Sequence, residues 1–157
     1  MKGPLFYSKI LLFGEYGIIQ DSKGLSIPYN FYNGALKSDG NTSAEAIKSN
    51  ANLKRFITYL ENLQLEQPDL VTFDLATLNQ DVAAGMYFDS SIPQGYGVGS
   101  SGALVAAIYD KYAQNKITVL ENLTREKLLQ LKTIFGQMES FFHGKSSGLD
   151  PLNSYLS

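Results

Sequence analysis

The sequence predicts a single domain that mixes strands with helices, and three observations carry that prediction. At 157 residues and 44% apolar side chains, the chain can bury roughly two-thirds of its unfolded surface, enough for one ordinary core. Its start is cut into short apolar runs by turn residues, the mark of hairpin-forming strands. Further on, three stretches repeat apolar residues at helical spacing.

The elements follow in order. Leu5 to Phe13 reads as a first strand, followed by turns at Gly14 to Gly17 and at Asp21 to Gly24. Lys37 to Asn41 is a loop. Thr42 with Glu45 three residues later fits a capping box, opening a helix over about Ser43 to Leu63. Its stripe is Leu53, Phe56, Ile57, Leu60 and Leu63, and a break is expected at Asn50 to Asn52. Val71, Phe73 and Leu75 alternate with Thr72, Asp74 and Ala76, which predicts a strand with one buried face. A further strand is expected over Met86 to Ser90. After Pro93 a glycine-rich loop runs into a helix marked by Leu104, Val105, Ile108 and Tyr112. Thr124 can cap the last long helix, with Glu126 in its positive first turn. Leu128, Leu131, Phe135, Met138 and Phe142 form its stripe, and it ends at His143 before Gly144. Leu149 to Leu156 is expected to be a final strand or extended segment.

Composition excludes several functions. Thirteen basic and fifteen acidic side chains leave a net charge of −2 without a basic cluster, so neither nucleic acid nor an anionic membrane is the expected partner. No apolar run approaches the about 18 residues of a membrane span, and no secretory signal pattern opens the chain. A cytoplasmic protein is expected. With no cysteine and one histidine, any metal should be a hard cation held by oxygen.

The glycine-rich loop carries the functional signal. Gly95, Gly97 and Gly99 alternate with Tyr96 and Val98 and lead into Ser100 and Ser101. Glycines at such spacing let main-chain amides close on a ligand. The helix that follows adds unpaired N–H groups and a partial positive charge, so the segment suits a phosphate. The loop lacks the lysine of a Walker motif, and Ser100 breaks the dinucleotide pattern G-x-G-x-x-G. Positive charge must therefore come from a metal or from a lysine elsewhere. Glu139 and His143 lie one turn apart and read, in isolation, as a solvated pair. Asp150 stands where a turn-rich stretch enters an apolar tail, and Lys9 interrupts an apolar run; a turn cap and a strand-end lysine are the plain readings of these two.

Three blocks in order resemble the GHMP kinases. Ser8-Lys9-Ile10-Leu11-Leu12-Phe13-Gly14-Glu15-Tyr16 is similar to the first motif of the mevalonate kinase branch. Pro93 to Ala103 is similar to the superfamily's phosphate loop. Glu139 with His143-Gly144-Lys145-Ser146-Ser147-Gly148-Leu149-Asp150 resembles the catalytic block of that branch. The resemblance implies an α+β fold akin to the second domain of ribosomal protein S5. It implies ATP-dependent phosphotransfer to the hydroxyl of a small metabolite, with mevalonate, on the route to isoprenoids, as the first acceptor. Gly95, Tyr96, Gly97, Val98, Gly99, Ser100 and Ser101 would hold the ATP phosphates. Ser101 and Glu139 would bind Mg²⁺, Asp150 would be the catalytic base paired with Lys9, and Glu15 and Tyr16 would lie on the substrate side. Tyr16 replaces a histidine common in mevalonate kinases and looks more like phosphomevalonate kinase; Ser146 replaces a usual proline. Phosphomevalonate or a sugar therefore stays open as acceptor, and a non-catalytic nucleotide-binding module is the reading from another class. Because the family's chains are longer and carry a second glycine-rich motif, residues 1–157 are expected to be an N-terminal domain. Such a domain would be inactive without its C-terminal partner and able to self-associate as a homodimer.

Overall fold

A computed structural model describes residues 6–13, 25–90, 100–118, 124–143 and 148–156. Strand β1 (Phe6–Phe13) pairs antiparallel with the long β2 (Leu25–Lys37), and the far end of β2 pairs antiparallel with β4 (Tyr87–Ser90). The sheet order is β1-β2-β4. The β1–β2 register slips between Tyr7 and Ser8 and again between Leu11 and Phe13. Such irregularities add local twist, and β2, as the central strand, pairs with a neighbour on each edge. A second, two-stranded ladder joins β3 (Thr72–Phe73) to β5 (Ala113–Gln114).

Among the described residues, five helices cover these strands: α1 (Ala44–Glu66), α2 (Leu75–Ala83), α3 (Ser100–Tyr112), α4 (Arg125–His143) and α5 (Leu149–Leu156). The expected stripe of α1, Leu53, Phe56, Ile57, Leu60 and Leu63, is buried. Helix α3 is the centre of the core. Ala103, Val105, Ala106, Ala107, Ile108, Tyr109 and Tyr112 are all buried, around most of its circumference, because it packs on β1 and β2 and on α4 and α5. Small residues on α3 allow that crowding.

Four expectations about elements are corrected. The break at Asn50 to Asn52 is absent, because Asn50 Nδ2 donates to the carbonyls of Val82 (2.8 Å) and Met86 (2.7 Å) from within an unbroken helix. The N-cap of α1 is Ser43, whose hydroxyl accepts from Ala46 N at 3.2 Å, so Thr42 lies one residue outside. The strand expected over Val71 to Ala76 shrinks to two residues because Asp74 caps α2, accepting from Thr77 N at 3.2 Å. The tail is helix α5 rather than a strand. Asp150 stands in its positive first turn, and Pro151 stands where no main-chain N–H is needed. Pro151 and Tyr155 then fall on one buried face.

Candidate active site

Three helix ends meet at one place. Ser101 lies in the first turn of α3, and its hydroxyl donates to Glu139 Oε2 of α4 at 3.0 Å. Glu139 is only 3% exposed, which corrects the reading of it as a solvated partner of His143. A buried carboxylate is costly without hydrogen bonds, and the serine provides one. Asp150, in the first turn of α5, stands against the same end of α3: a Cβ added to Gly102 would lie 2.8 Å from Asp150 Cβ. Strand β1, which carries Lys9 opposite Pro28, packs on both α3 and α5.

A third contact closes the triangle. Gly148, just before α5, has φ of +77°, and a Cβ there would lie 2.1 Å from the carbonyl oxygen of Lys132 and 2.8 Å from Gly136 N. The start of α5 thus lies directly on the main chain of α4, one turn before Glu139. Only glycine tolerates both that φ and that approach.

The opening of α3 offers main-chain N–H groups at the N-terminus of a 13-residue helix. Beside them stand a hydroxyl and a buried carboxylate, an oxygen-only set suited to a hard cation. Among the described residues no group of three or more His, Cys, Asp or Glu side chains gathers to hold a metal. A cation bound at Ser101 and Glu139 would complete its shell with phosphate oxygens and water, as Mg²⁺ commonly does.

Ser101, Glu139 and Asp150 are therefore brought together, with the strand that bears Lys9 alongside. Ser100 opens α3. Gly95, Tyr96, Gly97, Val98, Gly99, Glu15 and Tyr16 lie outside the described residues. Sequence reasoning passed over Gly102 and Gly148 as individual positions. An isolated glycine inside an apolar helical pattern, as at Gly102, was the available signal. Ser154, one turn beyond Asp150, is 3% exposed, and among the described residues its hydroxyl meets no hydrogen-bond partner.

Residues 55–156 match the family described as GHMP kinases N terminal domain. No curated protein and no solved structure matches the chain. No helix among the described residues is long and apolar enough to cross a membrane.

Proposed function

The chain belongs to the GHMP kinases through the N-terminal domain of that family, and from this we propose that it phosphorylates the hydroxyl of a small metabolite, with mevalonate as the first acceptor. The fold is read as the α+β arrangement akin to the second domain of ribosomal protein S5, and the setting as cytoplasmic. The observation that carries the reading is the convergence of Ser101, Glu139 and Asp150 at the N-terminal ends of α3 and α5.

MgATP supplies the phosphoryl group and the charge that neutralises it when bound. The chain's own groups have three tasks. The first-turn amides of α3, with the segment Gly95 to Ser101, hold phosphate oxygens by hydrogen bonds and the helix's partial positive charge. Ser101 and Glu139 give the cation a hydroxyl and a carboxylate already bonded to each other, so little reorganisation accompanies binding. Asp150 accepts the proton of the acceptor hydroxyl as its oxygen bonds to the γ-phosphorus and the bond to the ADP oxygen breaks. Lys9, on the strand beside both helices, would supply positive charge that favours the developing alkoxide. General-base assistance of this kind is worth about 10²- to 10⁴-fold.

A phosphotransfer screen of the full-length protein with ATP and Mg²⁺ over mevalonate, phosphomevalonate and several sugars tests the reading. Turnover is expected with mevalonate. Asp150→Asn is expected to lower turnover by about 10²-fold or more with the KM for ATP nearly unchanged. An equal loss of ATP affinity would make Asp150 a structural residue, and the absence of transfer to every acceptor would remove the kinase reading.

A further inference from the structure

At position 102 the informative feature is a missing side chain. Gly102 sits inside α3, where alanine has the better helix propensity, and its φ is not positive. Conformational freedom does not account for it. Close approach does: an added Cβ would lie 2.8 Å from Asp150 Cβ, 2.9 Å from the Asp150 carbonyl carbon and 2.9 Å from Pro151 N. Two of those atoms are main chain and the third is the first carbon of the side chain, so none can swing aside. Relief requires α3 and α5 to part by roughly 0.5 Å, the gap between 2.9 Å and the 3.4 Å at which ordinary contact begins.

We propose that Gly102 is a positioning residue, its missing Cβ setting how near Asp150 stands to the phosphate-binding end of α3. The inference rests on the kinase reading above. The Ser101–Glu139 hydrogen bond joins α3 to α4, and Gly148 seats the start of α5 on α4. The α3–α5 contact at Gly102 is the one side of this triangle that directly sets the distance from base to phosphate. A misplacement near 1 Å costs about 10²-fold in rate, so parting the two helices by half that distance is expected to cost about tenfold.

The test is Gly102→Ala in the kinase. Its melting midpoint is expected to fall, where an ordinary helical glycine replaced by alanine would raise it. Turnover should drop about tenfold or more while the KM for ATP changes little. Adding Asp150→Glu, one methylene longer, should restore part of the lost turnover, which a purely structural defect would not allow. In the native background Asp150→Glu should instead reduce turnover, and that single variant decides the matter if Gly102→Ala does not fold. A raised midpoint, unchanged turnover in Gly102→Ala, or full activity of Asp150→Glu alone would overturn the spacing role and leave the kinase reading intact. Full-length native protein that phosphorylates no acceptor would overturn both.

Discussion

Ser154 shows what a single residue can reveal at this site. Helical serines commonly donate back to the carbonyl four residues earlier, yet this buried hydroxyl has no partner among the described residues. A buried hydroxyl left unsatisfied costs about 1–3 kcal/mol, so deleting it relieves a penalty. Ser154→Ala is therefore expected to hold or raise the melting midpoint in calorimetry, and a clear fall would mean that the hydroxyl is paired after all. Glu139 is the opposite case. It is equally buried but bonded to Ser101, and its burial was illegible in the sequence because a glutamate four residues from a histidine looks the same on a wet face as on a dry one. Asp150 and the serines were legible only as members of spaced blocks. What placed them together was long-range contact between α3, α4 and α5, which no local pattern encodes.

Elements were read best where one signal ruled alone. The periodic stripe of α1 and the Thr124 cap of α4, whose hydroxyl accepts from Lys127 N at 3.2 Å, fell where expected. Elements were misread where two signals competed. Alternation from Val71 to Ala76 suggested a strand, but Asp74 took the capping role and turned the chain into α2; the apolar tail, expected as a strand or extended segment, is a helix with Pro151 in its first turn. The Asp74 cap also carries a pH signature. Hydrogen bonds from the Thr77 hydroxyl and then the Thr77 amide hold its carboxyl below the ordinary value of 3.8. A carboxyl lowered on folding stabilises fully above its unfolded value, and that stabilisation is lost as pH falls from 3.8 through the lower folded value. Asp74→Asn, which keeps an acceptor for the cap but cannot titrate, is expected to flatten this part of the acid melting profile. A profile of unchanged slope below pH 4, about the unfolded value, would assign the acid limb to other carboxyls.

Across the whole molecule, the three helices that meet at the candidate site are tied a second time, deeper in the core. Tyr109 of α3, Phe135 of α4 and Tyr155 of α5 form a closed set of edge contacts, with ring centroids 5.0, 5.4 and 5.5 Å apart. The two tyrosine hydroxyls also grip one residue of the chain, Tyr155 donating to Ile117 O at 2.6 Å and Tyr109 accepting from Ile117 N at 3.0 Å. Burial raises both phenols above their ordinary range, so neither ionises near neutrality and the set is insensitive to pH there. Such pairs contribute about 0.5–1.5 kcal/mol each beyond buried area. Phe135→Leu breaks two of them and is expected to cost about 1–3 kcal/mol. The consequence reaches the site, because Phe135 lies one turn before Glu139 on the same helix and packs against the helices that carry Ser101 and Asp150. MgATP at about 100 times its Kd should stabilise the native protein by about 2.7 kcal/mol, or roughly 5–10 °C of midpoint for a chain of this size. In Phe135→Leu the same MgATP concentration is expected to yield a smaller shift, since part of the binding energy is then spent in re-forming the helix triangle. An undiminished shift would mean that the Ser101–Glu139 bond and the glycine contacts hold the site's shape without the aromatic set beneath them.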